Sequence, residues 1–160
     1  MTKIILSVLL CLYVTSSFAQ SEEENGKIYI KHPSIDVINK SMKAYESHDM
    51  TSLAAVYADT AKVWVSGMDK PIPYKEVLKD WATDKDYYDS IKVATLGYPD
   101  YLHYKDHDQK FVQSWWVWTG KSKKTGETVH VDFVQFDKFD NAGKVVMEAL
   151  YGDFSKIQKK

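Results

Sequence analysis

The second half of the chain contains four apolar runs, each long enough to form a β-strand. They span residues 91–104, 111–119, 127–139 and 144–151. Short segments rich in Asp, Asn, Gly and Lys separate them, which is the chemistry of tight turns. Consecutive strands joined by short turns pair as an antiparallel meander. The C-terminal half is therefore expected to form one sheet, with a break in its first strand near Pro99.

Both faces of this sheet carry large apolar side chains. Trp115, Trp116 and Trp118 lie on one strand, and they cannot all point the same way because side chains alternate along a strand. Both faces must then be covered, one by helices and the other by a further partner.

Three helices are predicted ahead of the sheet. Apolar residues recur at helical spacing within residues 35–45, 53–57 and 74–81, and Ser34 is positioned to cap the first helix. A strand is expected at residues 62–65. Helices followed by a meander indicate an α+β fold.

The first nineteen residues have the layout of a secretory signal peptide. Lys3 supplies the positive start, residues 4–14 are apolar apart from Ser7, and small residues precede a cut after Ala19. The apolar run has 11 residues, whereas a membrane-spanning helix needs about 20. We therefore expect an exported protein, periplasmic or extracellular, with no membrane attachment after cleavage.

The mature chain is expected to be one cysteine-free domain. Cys11 lies within the apolar run, so cleavage leaves neither a disulfide nor a thiol nucleophile. The predicted organisation is a signal peptide at 1–19, a flexible leader at 20–33, a domain at 34–155 and a tail at 156–160.

The charge pattern argues against nucleic-acid binding. The chain has no Arg and a formal net charge of −1, whereas nucleic-acid-binding domains usually carry a basic surplus with Arg for phosphate contacts. No cofactor motif is present, and no cofactor is predicted. His103 and His107 span a strand end and a turn, so a solvated hairpin is expected there and no metal site.

The order of these elements resembles the nuclear transport factor 2-like superfamily, and its SnoaL-like polyketide cyclase branch in particular. The first helix, HDM at 48–50, a short helix and a strand resemble the opening of such domains. The alternating strand after residue 129, the hairpin FDNAGK at 139–144 and the closing YGD at 151–153 resemble the ending. The resemblance implies a cone in which a curved antiparallel sheet wraps the N-terminal helices around an apolar pocket. It also implies a homodimer through the outer sheet face.

No complete catalytic motif of that superfamily is present. Ser41, Val65 and Gln135 stand where its ketosteroid isomerases would place their oxyanion-hole tyrosine, general base and second aspartate, and the absence of Arg excludes its epoxide hydrolase pattern. The resemblance places Gln135 on the pocket wall. Glu148, the one charged residue in an apolar strand, is a candidate acid or base.

A second candidate is a His130–Asp132 pair, because residues two apart on a strand share a face. If Gln135 faces the pocket, alternation along the strand places His130 and Asp132 on the outer face. The predicted pocket residues combine aromatic side chains with one amide and one carboxylate: Tyr57, Trp64, Trp81, Trp116, Phe133, Gln135, Glu148 and Tyr151.

Three functions follow from these observations. The leading one is an exported protein that binds a small, mostly apolar organic ligand. The alternative is a cyclase, isomerase or dehydratase using a pocket carboxylate or the His–Asp pair. A third is an interaction module that uses only its dimer surface. A buried carboxylate with a perturbed pKa would favour the enzyme.

Overall fold

A computed structural model of the chain describes residues 23–159. The predicted signal peptide and Cys11 lie outside these residues. The helices are α1 (Pro33–Glu46), α2 (Met50–Ala54), α3 (Tyr74–Trp81) and α4 (Asp84–Tyr87). The strands are β1 (Gly26–Tyr29), β2 (Tyr57–Val65), β3 (Ile72–Pro73), β4 (Tyr88–Thr95), β5 (Asp100–Tyr104), β6 (Lys110–Ser122), β7 (Thr128–Phe139) and β8 (Val145–Gly152).

The eight strands form one curved sheet, which makes the fold α+β as predicted. Its order is β1-β5-β6-β7-β8-β2-β3, and β4 pairs with β6 beside this path. The meander predicted for the C-terminal half is present, with its break between β4 and β5. The β2–β8 pairing is parallel and the other pairings of the described strands are antiparallel.

Local sequence explains where the helices begin and end. Helix α1 is capped by His32, whose Nδ1 accepts a hydrogen bond from the Ser34 backbone N–H at 3.1 Å. Pro33 occupies the first turn, where its missing N–H does no harm. The cap thus lies two residues before the predicted one. Helix α2 ends at Ala54, and Tyr57 begins a strand although its spacing suggested a helix.

Strand parity separates the two faces of the sheet. Trp116 and Trp118 belong to the buried core, whereas Trp115, directly before Trp116, is half-buried on the outer face. Phe136 and Tyr151 also lie on that face, with their rings 5.9 Å apart. The homodimer through this surface stays a prediction.

The domain extends beyond both of its predicted boundaries. Residues 26–29 of the predicted flexible leader form β1, which pairs with β5. At the other end, the Gln158 backbone N–H donates to Tyr88 Oη at 2.8 Å. Backbone pairing and tail contacts cannot be recognised from a polar composition.

None of the helices within residues 23–159 is long and apolar enough to cross a membrane.

Candidate functional site

A cavity of about 400 Å³ lies between the sheet and helices α1–α3. Most of its wall is apolar, as suits an organic ligand. The apolar side chains include Met42, Leu53, Val65, Met68, Ile72, Val77, Trp81, Val93, Phe133, Leu150, Phe154 and Ile157. The polar side chains are Tyr45, Tyr57, Glu76, Asp80, Asp84, Gln135, Glu148 and Lys159.

Four buried polar residues meet at the closed end of the cavity, and we call Tyr57, Gln135, Asp137 and Glu148 the floor network. Each is at most 6% exposed. Gln135 and Asp137 are two apart on β7, so they share its inward face. Asp137 is paired across the sheet with Glu148 on β8, which brings two carboxyl groups together.

Hydrogen bonds join the floor network in two pairs. The Tyr57 hydroxyl donates to Glu148 Oε2, and Gln135 Nε2 donates to Asp137 Oδ1 at 3.1 Å. Asp137 and Glu148 are register partners across the β7–β8 pairing, and Asp137 Oδ2 and Glu148 Oε1 have no hydrogen-bond partner among the described residues. An ionised carboxylate only accepts hydrogen bonds, so a proton on one of the two groups would allow them to bond to each other.

Burial changes the acidity of this pair. It raises the pKa of Glu148 from 4.5 to about 7, against the opposing effects of the hydrogen bond from Tyr57 and of the neighbouring Asp137. Burial and the neighbouring Glu148 charge raise the pKa of Asp137 well above its ordinary range. Burial also raises the pKa of Tyr57 well above that of an ordinary phenol. The pKa values of both neighbouring carboxyl groups are thus raised by burial, and that of Glu148 lies near neutral pH.

Three acceptor atoms of the floor network have no hydrogen-bond partner among the described residues, namely Gln135 Oε1, Asp137 Oδ2 and Glu148 Oε1. Gln135 lines the cavity, and its Oε1 has no hydrogen-bond partner among the described residues. A buried acceptor without a partner is unfavourable, so this oxygen is available to a ligand hydroxyl or N–H. The floor can therefore bind one polar group of a ligand and exchange a proton with it.

A second polar cluster lies at the open end of the cavity. The Tyr45 hydroxyl donates to Asp84 Oδ2 at 2.6 Å and accepts from Trp118 Nε1 at 2.9 Å. Lys159 Nζ is 2.7 Å from Asp84 Oδ1 and 2.8 Å from Asp80 Oδ2. Burial raises the pKa of Asp84, although hydrogen bonds from Lys159 and Tyr45 oppose it. Burial alone would lower the pKa of Lys159, but its bonds to the two carboxylates raise it.

The structure brings part of the predicted pocket set together. Five of its residues line the cavity: Tyr57, Trp81, Phe133, Gln135 and Glu148. The other three are corrections. Trp64 and Tyr151 alternate with the inward Val65 and Leu150, so they point to the outer face, where their rings are 5.0 Å apart. Trp116 faces inward but is packed in the core, with Nε1 donating to Ser114 Oγ at 2.8 Å.

The alternative catalytic pair lies away from the cavity. His130 and Asp132 are both exposed on β7. The intervening Val131 is 1% exposed, so the strand turns the pair to the outer side. No arrangement of this strand that keeps Val131 buried brings His130 to a ligand in the cavity.

Sequence reasoning missed Asp137 and the cluster around Asp84. Asp137 could have been predicted to face inward, because it alternates in step with Phe133 and Gln135 along β7. No sequence pattern indicated the Asp84 cluster, because it joins residues of α1, α4 and the C-terminal tail. Within residues 23–159 no three His, Cys, Asp or Glu side chains are grouped as metal ligands.

No protein-family model matches the chain, and no curated protein matches its sequence. Solved structures do match its fold. IdmH, a candidate polyketide cyclase from Streptomyces antibioticus, aligns at 16% identity over 79% of this chain and 96% of its own, with a TM-score of 0.64. A candidate isomerase from Bacillus subtilis aligns at 15% identity over 77% of this chain and 88% of its own, with a TM-score of 0.59.

A protein with a ketosteroid isomerase-like fold from Catenulispora acidiphila aligns at 10% identity over 76% of this chain and 88% of its own, with a TM-score of 0.61. These similarities confirm the resemblance to the nuclear transport factor 2-like superfamily at the level of fold. At such identities they leave the activity to be argued from the site.

Proposed function

We propose that this protein is an acid–base enzyme of the isomerase or cyclase type, with Glu148 as the base that acts on a mostly apolar small molecule. One observation carries the proposal: a nearly inaccessible carboxyl group with a pKa of about 7 lies on the wall of an apolar cavity. General bases work best when their pKa is near the operating pH. Proteins with a similar fold include a candidate isomerase and a candidate polyketide cyclase. By analogy, these activities agree with an acid–base site here.

A protein that only binds an apolar ligand would not need the floor network. Two carboxyl groups buried side by side are unfavourable for stability, since both cannot ionise without repulsion. Apolar side chains of similar size would bind an organic ligand and would stabilise the fold. The acid pair therefore supports proton transfer over binding alone.

The proposed reaction begins with removal of a proton from a carbon beside a carbonyl group. The Glu148 carboxylate accepts that proton, and the C–H electron pair moves into the carbonyl group to form an enolate. Return of the proton from Glu148 to the same or a conjugated carbon restores the base and completes an exchange or an isomerisation. Tyr57, hydrogen-bonded to Glu148, and the neighbouring Asp137 act as positioning residues that limit its basicity.

Deuterium exchange into β-tetralone tests this reaction. The probe is apolar apart from one carbonyl group, and its acidic C–H bonds exchange with D₂O through the enolate. We expect catalysed exchange that rises with pH to a plateau above about 7, because Glu148 is then ionised. Replacing Glu148 with Gln should reduce the catalysed rate about 10²- to 10⁴-fold, the usual contribution of a general base.

Glu76→Gln is the matched control, because Glu76 is an exposed carboxyl on the same cavity wall. It should retain the rate and the pH profile of the unaltered protein. Equal exchange by the Glu148→Gln variant would overturn the role of Glu148. Saturable binding of β-tetralone without any catalysed exchange would instead favour the binding protein.

We also propose that the protein is exported and begins at Gln20 after cleavage. The support is the layout of Lys3, the apolar run and the small residues before Ala19. Protein recovered from outside the cytoplasm should show Gln20, or pyroglutamate formed from it, as its first residue by mass spectrometry. Recovery of chain starting at Met1 in the membrane fraction would contradict export with cleavage.

A further inference from the structure

The ammonium group of Lys159 sits in a ready-made set of oxygen acceptors at the open end of the cavity. Its Nζ donates to the Asp80 carbonyl oxygen at 2.8 Å, to Asp80 Oδ2 at 2.8 Å and to Thr83 Oγ1 at 3.3 Å. It is also 2.7 Å from Asp84 Oδ1. We call Asp80, Thr83 and Asp84 the mouth cradle.

The mouth cradle is fixed by parts of the fold other than the tail. Asp80 and Thr83 lie at the C-terminal end of α3, where helix carbonyl groups favour a cation. Asp84 is 3% exposed and is held from its other side by Tyr45, which Trp118 fixes in turn. The Asp84 carboxylate and the Asp80 carbonyl oxygen would therefore keep their positions if the Lys159 side chain left.

Lys159 belongs to the C-terminal tail, which contacts the domain through residues other than those of the mouth cradle. After β8 the chain lays Phe154 and Ile157 on the cavity wall, and the Gln158 backbone is hydrogen-bonded to Tyr88 Oη. These contacts hold the tail across the mouth of the cavity. Lys159 follows the last helical turn, which ends at Lys156, and belongs to no strand or helix, so its side chain can leave the mouth cradle without disturbing either.

The charges on the cavity wall favour a cationic ligand. Among residues 23–159, Lys159 is the only basic residue on the cavity wall. The acidic residues on that wall are Glu76, Asp80, Asp84 and Glu148. The unpaired Gln135 Oε1 is a separate indication, because this buried oxygen in the same cavity needs a hydrogen-bond donor. A ligand that carries donors at one or both ends would satisfy these groups.

We propose that the cavity binds an apolar molecule carrying a primary ammonium group, and that this group replaces Lys159 in the mouth cradle. Lys159 thus occupies the site when no ligand is bound and competes with the ligand when one arrives. The inference rests on the cavity of the proposed function and adds the chemical class of its ligand. It does not depend on proton transfer by Glu148.

Calorimetric titration with 2-aminotetralin and 2-tetralol tests this competition. The two probes share a ring system, but only the first carries an ammonium group at neutral pH. In the full mature chain, Lys159→Met removes the internal competitor and should tighten 2-aminotetralin binding at least tenfold. The reason is that a competing conformation lowers apparent affinity in proportion to its population. Binding of 2-tetralol should change less than twofold.

Two further variants make the result specific. Lys156→Met removes another lysine of the tail, one that is exposed and does not line this cavity, and it should leave both affinities unchanged. Asp80→Asn alters an exposed side chain of the mouth cradle and should weaken 2-aminotetralin binding to the Lys159→Met protein about tenfold, the scale of a charge-assisted hydrogen bond. Circular dichroism melting of each variant confirms that it is folded.

The outcomes separate this inference from the proposed function. Equal tightening of both probes in Lys159→Met would show that the tail is a simple lid, and no tightening would show that Lys159 is not a competitor; either result overturns the inference. Ammonium-selective binding without exchange of β-tetralone would leave the inference standing and refute only the proposed enzyme. Exchange without ammonium selectivity would do the reverse.

Discussion

Replacing Glu148 with Gln should remove a fall of about 3 kcal/mol in the free energy of unfolding between pH 4.5 and pH 7. The folded state holds the Glu148 proton up to about pH 7, whereas the unfolded chain releases it near 4.5. Each unit of difference corresponds to about 1.4 kcal/mol. In this window the folded state binds more protons, so stability decreases as the pH rises. Gln carries no proton to lose and can still accept a hydrogen bond from Tyr57.

Urea denaturation at pH 4.5, 6 and 8 measures this effect, since the midpoint and slope give the free energy of unfolding at each pH. The unaltered protein and Glu76→Gln should both lose stability across the series. The Glu148→Gln protein should lose about 3 kcal/mol less than the other two and should be the most stable of the three at pH 8. Parallel pH dependences for all three would refute a raised pKa at Glu148.

Asp84 and Asp137 act in the same direction, because burial raises their pKa values as well. Exposed carboxyl groups with lowered pKa values, such as Asp49 and Asp108, change the free energy of unfolding at lower pH. Their contribution is lost as the pH falls through those values, below the window that Glu148 controls. The difference between the unaltered protein and the Glu148→Gln variant therefore isolates the floor network.

Alternation along the strands made part of this site predictable. A single inward position fixes the parity of an entire strand, and Gln135 also determines the direction of Asp137. The same rule assigns Trp64 and Tyr151 to the outer face, because Val65 and Leu150 point inward. Selecting aromatic residues by size instead of parity produced those two errors.

The mouth cradle depends on contacts that no local pattern contains. Tyr45 lies 39 residues from Asp84 along the chain, and Lys159 reaches both Asp80 and Asp84 from the tail. A lone lysine near a C-terminus normally lies in solvent, and an aspartate at a helix start normally caps it. Only the tertiary fold shows that these ordinary residues form one charged cluster.

Replacing Trp118 with Ala should lower the free energy of unfolding by about 3–5 kcal/mol, the range for large aromatic truncations in a core. Trp118 is 3% exposed, and its ring meets that of Tyr88 edge-on at 5.1 Å. The substitution leaves a cavity beneath α1 and removes the hydrogen bond to Tyr45 Oη. Urea denaturation should show the lower stability, and 2-aminotetralin binding should weaken because Asp84 loses part of its support.

Trp115→Ala is the matched control, because Trp115 lies on the same strand and is half-buried on the opposite face. In the monomer it should lower the free energy of unfolding by only about 1 kcal/mol, the typical effect of a point mutation. If the outer face forms the predicted homodimer, sedimentation should show weaker self-association for this variant. Equal destabilisation by the two substitutions would contradict the assignment of Trp118 to the core and of Trp115 to the outer face, since parity gives them different surroundings.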